Sequence, residues 1–148
     1  MSIGIASGVV QAAILTRLWT DGTLVTATGA HPTESGKARV YDEPPENASF
    51  PYLVIGEAVE RSNNRFGGKV GRTLDVFVRA VSEKRGNTQA QDLLTRVDAL
   101  LDNYLSLSIA GYATELVNLV DVQFVRTARS GTPLREGIAH YEIMVVES

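Results

Sequence analysis

Apolar positions along the chain follow two periods, and the changes between them mark the elements. After Ser7, a residue suited to an N-cap, Val9, Val10, Ala13, Ile14, Arg17 and Leu18 recur at helical spacing, with Gln11, Thr16 and Thr20 off that stripe. The pattern predicts a helix over 8–20, with Trp19 closing its apolar face and Asp21-Gly22 as its stop. Residues 22–37 have turn composition and little periodicity, so they read as a loop, with Val25 as the start of a short strand.

The next stretch alternates instead. Lys37–Glu43 reads as a short strand halted by Pro44-Pro45, because neither proline can donate to a ladder. Pro51 enters a second strand over Tyr52–Arg61. Ser62–Gly71, rich in asparagine and glycine, is a long turn. In Arg72–Glu83, Leu74, Val76, Val78 and Ala80 alternate with Thr73, Asp75 and Arg79, the mark of a half-buried strand, while Phe77 and Val81 fall on the polar side. These two strands form a long hairpin arm.

Asn87 opens the clearest helix, in which Ala90, Leu93, Leu94, Val97, Leu100 and Leu101 make one apolar stripe. After a break at Ile109-Ala-Gly-Tyr112, Leu116–Thr127 and Gly137–Glu147 are strands joined by a turn at Ser130–Pro133. The order α-β-β-β-α-β-β predicts an α+β fold: a mostly antiparallel sheet of four to five strands with two helices on one face. Residues 1–148 form a single domain on this reading, with 22–37 and the hairpin tip 62–71 as its flexible parts.

Composition narrows the function. With 148 residues, 44% of them hydrophobic, the chain can bury a core without staples. A net charge of −3 argues against a generally basic nucleic-acid binder but leaves room for a local basic patch. The absence of cysteine removes thiolate chemistry, and two histidines leave little for a soft-metal site. Neither a secretory signal nor an apolar run of membrane-spanning length is present, so a soluble cytoplasmic protein is expected.

No motif for chemistry survives inspection. Phe66-Gly-Gly-Lys69-Val-Gly-Arg72-Thr73 looks like a phosphate cradle, but Lys69 precedes valine and the turn joins two strands rather than a strand and a helix. Asp42, Glu43 and Glu46 crowd the double proline, where carboxylates are exposed and ionised rather than tuned as an acid–base pair. His140 and Glu142 share one side of the last strand without a visible third ligand. Arg61, Arg65, Lys69 and Arg72 lie in a stretch without acids, a basic turn able to contact a partner or phosphates by charge alone. Strand faces that mix charged and apolar residues, together with exposed hairpins, point to an oligomer built by strand pairing.

The helix over 8–20, Arg39-Val-Tyr-Asp-Glu-Pro-Pro, Phe50-Pro-Tyr-Leu-Val-Ile-Gly-Glu57, Leu74-Asp-Val-Phe-Val-Arg79 and the helix Ala90–Asp102 follow one another in an order that resembles the tail-completion, or tail-terminator, proteins of long-tailed bacteriophages. The likeness runs from about residue 8 to 147; the 22–37 loop and the basic 62–72 turn depart from it. It implies a structural virion protein without catalytic residues, metal or cofactor. Such a protein forms a homo-hexameric ring at the head-proximal end of the tail, assembled in the host cytoplasm. The ring stops polymerisation of the tail tube protein and joins the head-to-tail connector protein. Arg61, Arg65, Phe66, Lys69 and Arg72 would then form an assembly or lumen-facing arm, with nonspecific contact to DNA in the channel and no membrane partner.

Three other readings stay open at this stage. One is a head-completion or connector ring protein of the same virion. Another is a small nucleic-acid-binding sheet protein that stacks bases on Phe66. The third is a hydrolase built on Asp42 and Glu43.

Overall fold

A computed structural model describes residues 5–63, 70–129 and 131–148. The elements are α1 (Ser7–Trp19), α2 (Gly22–Thr28), β1 (Val40–Tyr41), β2 (Tyr52–Ser62), β3 (Gly71–Ser82), α3 (Thr88–Leu101), β4 (Tyr112–Arg129) and β5 (Thr132–Glu147). The strands make one five-stranded sheet in the order β1-β2-β3-β5-β4. β1 runs parallel to β2 and every other pair is antiparallel. The expected α+β architecture is present, with three helices rather than two.

Alternation sorts the sheet into two faces. Leu74, Val76, Val78 and Ala80 of β3 face the helices, opposite Ile143, Tyr141, Ala139 and Gly137 of β5. They join Leu53 and Ile55 of β2, Val10, Ile14 and Leu18 of α1, Leu24 of α2 and the α3 stripe in one buried cluster. The six apolar α3 positions expected from the sequence are all buried. Burying each large one contributes about 1.5–3 kcal/mol before entropy is counted. A smaller cluster of Tyr41, Ala48, Tyr52, Val81 and Leu134 lies apart from the first.

Four expectations are corrected. Residues 22–37 are not wholly a loop, because Gly22–Thr28 is helical and Val25 lies within it rather than starting a strand. The Asp21 carboxylate accepts from the Leu24 N–H and caps this helix, so the residue read as a stop is also a start. The Lys37–Glu43 strand shrinks to Val40–Tyr41. Ser7 lies inside α1 rather than at its N-cap, which is Ala6. Finally, the hairpin of β4 and β5 is longer than expected, with 18 and 16 residues in its strands.

Candidate assembly surface

The sheet face away from the helices is built from the residues whose neighbours in sequence fill the core. On β3 these are Thr73, Asp75, Phe77 and Arg79; on β5 they are Glu142, His140 and Glu136. The face is not a solvated polar surface. Asp75 binds the Arg61 guanidinium, with Glu142 a further 3.7 Å contact of the same arginine. His140 Nε2 lies 2.9 Å from Asp75 Oδ1, and its ring stacks on Phe77 at a centroid separation of 4.6 Å. Arg79 pairs with Glu136 at 2.7 Å. Burial alone would raise the Asp75 carboxyl, but hydrogen bonds from Arg61 and His140 outweigh it and hold the group below its ordinary value. His140 and Glu142, which shared a face in the sequence as two metal ligands would, are here engaged with Asp75 and Arg61.

The second feature is the β4 edge. Among the described residues, β4 pairs with β5 on one side only and borders no other strand of the sheet. Two register shifts bend it, after Thr114 and after Leu119. It carries Val120, Val122 and Phe124 at 48%, 39% and 37% exposure. Its first half is engaged on the outer side, where the Val117 carbonyl accepts from the Asn103 N–H at 2.9 Å and the Leu119 N–H donates to the Asp102 carboxylate at 3.3 Å; the stretch beyond Leu119, with its exposed apolar side chains, is a template for another strand. The opposite edge is also incompletely covered, because β1 pairs only with Leu53 and Val54 of β2.

The third feature is the base of the β2–β3 hairpin. Glu60, on the helix side of β2, accepts from the Ala6 N–H, the Ser7 N–H and the Ser7 hydroxyl, and so caps α1 from another element. Arg72 Nε donates to the same carboxylate at 3.0 Å. Burial works to raise the Glu60 carboxyl; the helix N–H groups, the Ser7 hydroxyl and Arg72 together lower it. Of the five residues expected to form a basic arm, Arg61 and Arg72 are therefore tied into ion pairs at its base. Arg65, Phe66 and Lys69 lie outside the described residues.

The fourth feature is a cleft of about 710 Å³ between α1 and the 30–49 segment. Gly29, at φ +88°, ends α2 and leaves room for the Arg39 guanidinium beneath it. Arg39 then donates to the Ala30 and Thr28 carbonyls, which fixes one wall. Trp19 meets His31 edge to face and His31 meets Tyr41 at a tilt of 49°, with ring centroids 5.9 and 5.0 Å apart. Glu34, Asp42, Glu43 and Glu46 also line the cleft. Sequence reasoning placed Asp42, Glu43 and Glu46 at a surface but missed Glu34 and the cleft, because its aromatic wall joins residues far apart in the chain.

Three comparisons bear on this arrangement. A family model described as "Tail completion protein gp17" matches residues 12–145. No curated protein matches the chain significantly. Among solved structures, a chain of the "Virion of native gene transfer agent (GTA) particle" superposes with a TM-score of 0.79 at 18% identity, covering 98% of this chain and 99% of that one. The last result shows a shared fold.

Proposed function

Because the chain belongs to the tail completion protein gp17 family, we propose that it is a structural ring that finishes the head-proximal end of a phage tail. The family match over residues 12–145 is the observation that carries this reading. Six copies close into a ring on the last tube ring, stop tube polymerisation and present a different surface to the head connector. The role is mechanical: surfaces recognise surfaces, and no substrate is turned over.

The fold supports such an assembly. Beyond Leu119, β4 offers an edge that no other described strand pairs, and β2 offers a second that β1 covers along two residues. Pairing the β4 edge of one copy with an edge of the next extends the sheet from subunit to subunit, and a head-to-tail contact of this kind closes into a ring when the rotation permits. The mixed face around Phe77, His140 and Asp75 supplies the curved inner or outer wall of that ring. The turn from Arg61 to Arg72 acts as an assembly or lumen-facing arm. With Arg61 and Arg72 paired at its base, Arg65 and Lys69 hold the charge that it presents to a partner or to passing DNA.

The reading is tested by particles that lack the protein. Tails of abnormal length, unable to join full heads, are the expected phenotype. Tails of normal length beside leaking heads would assign the protein to head completion instead.

A further inference from the structure

Exposed apolar side chains collect at the two edges of the sheet. Among the described residues six large ones are exposed. Val120, Val122 and Phe124 lie on β4. Val59, at 53% exposure, lies on β2, and Ile5, at 80%, precedes Ala6, whose N–H donates to Glu60 of that same strand. The sixth, Leu105, is in the connection from α3 to β4. On β2, β1 covers Leu53 and Val54, and the Gln11 side chain of α1 donates to the Gly56 carbonyl at 2.7 Å. From Glu57 to Ser62 no described strand pairs with the outer side of β2. Each subunit therefore has two open edge segments, one on β2 after Gly56 and one on β4 after Leu119.

The two segments match in direction, in hydrogen bonding and in charge. Three antiparallel pairs separate β2 from β4, so the two strands run in opposite directions. A copy rotated about an axis along the strands offers its β2 antiparallel to β4. The Asn63 N–H donates to the Gly71 carbonyl, so by antiparallel alternation Ala58 and Glu60 turn their backbone groups outward. On β4 the Val117 carbonyl and the Leu119 N–H face outward, and the register shift between Leu119 and Asp121 passes that role to Val122 and Phe124. Charge along β4 runs from Asp121 to Arg126; along β2 it runs from Glu57 to Arg61. Antiparallel pairing sets Asp121 against Arg61 and Arg126 against Glu57, whereas parallel pairing sets like charges together. Asp121, Arg126 and Glu57 are exposed, and among the described residues no ion pair reaches any of the three. The Arg61 side chain, steadied by Asp75, is still 49% exposed.

We infer that residues 120–126 of β4 pair antiparallel with residues 57–61 of β2 in a neighbouring copy of this chain, with Asp121 opposite Arg61. In that register Val122 and Phe124 oppose Glu60 and Ala58, the outward-turned residues of each strand, and Gln123 opposes Val59. This contact, which rests on the ring reading, says which edges meet, in which direction and in which register. Two unlike edges make it heterologous, so it repeats from copy to copy around a ring. A two-fold β4–β4 pair would set Asp121 against Arg126 as well, but it would leave Val59 and Ile5 bare.

The cysteine-free chain permits a direct test. Val59→Cys combined with Gln123→Cys in one chain should give, on mild oxidation with tail tubes present, a ladder of disulfide-linked dimers, trimers and higher species, whereas Gln123→Cys alone should give none. In parallel, Glu57→Arg or Arg126→Glu alone should weaken assembly at least about tenfold in native mass spectrometry, and the two changes together should restore it. Neither residue belongs to a described ion pair, so the swap leaves the fold's own pairs in place. The inference fails if the unmodified protein forms rings while the cysteine pair yields no ladder, or while the charge reversals do not compensate; the ring reading then stands without it. Dimers from Gln123→Cys alone would mean a β4–β4 contact and also overturn the inference. Both readings fail if the unmodified protein stays monomeric with tail tubes present and no ladder forms.

Discussion

Arg72 sits 3.0 Å from Glu60, and that same carboxylate caps α1 through Ala6 and Ser7. One acid thus joins the arm's base to the first helix. Replacing Glu60 with alanine removes the cap and leaves a largely buried guanidinium without its partner. The expected loss is about 2–3 kcal/mol in urea unfolding. Because the two sites share one interaction, Glu60→Ala and Arg72→Met should cost less together than their separate losses predict.

Acid should loosen the fold through three carboxyls. Glu60, Asp75 and Asp21 are all held below their ordinary values, 4.5 for the glutamate and 3.8 for the aspartates. For Asp21 the main cause is its hydrogen bond from Arg96, which links α2 to α3 at 2.7 and 2.9 Å. As pH falls, the unfolded chain takes up these protons before the folded one does. Their stabilisation is therefore present above 4.5, and it is lost as pH falls through the ordinary values toward the lower folded ones. Urea midpoints measured from pH 6 down to about pH 3 should decline, and Glu60→Gln should flatten part of that decline.

Gly71 fixes the entry to β3. A methyl group there would collide with the backbone carbonyl of Asn63, whose N–H in turn donates to the Gly71 carbonyl at 2.9 Å. Backbone cannot swing aside as a side-chain end can. Gly71→Ala should cost about 1–3 kcal/mol and weaken assembly through the arm. Gly8→Ala, where a Cβ meets nothing within 4 Å, is the control and should leave both unchanged.

The sequence made some of this legible and hid the rest for physical reasons. The α3 stripe and the alternation of Leu74 to Ala80 were readable because each lies within one element and follows one period. The helix at Gly22–Thr28 was not. Its seven residues are too few for a periodic signal, and it is held by an Asp21 cap and by burial of Leu24 and Thr28. The Asp21-Gly-Thr-Leu step was the available signal, since aspartate favours an N-cap as readily as the following glycine favours a stop. The basic turn read as one charged arm because Glu60, Asp75 and Glu142, which occupy Arg72 and Arg61, are brought there by strand register.

The β4 edge gives a prediction that separates assembly from folding. Val120 and Val122 are exposed on the outermost strand. Changing both to lysine removes little core burial and places charge where another strand would pair. Thermal unfolding should move by less than about 1 kcal/mol in stability, whereas ring formation should be lost.

The central claim is that this chain closes tail tubes with a ring. Negative-stain imaging of the purified protein, alone and mixed with tail tubes, tests it most directly. The account predicts six-fold rings seated at one end of each tube, with tubes that no longer elongate when fresh tube protein is added. Tubes that keep growing, with bare ends and the protein free or bound along their sides, would contradict it.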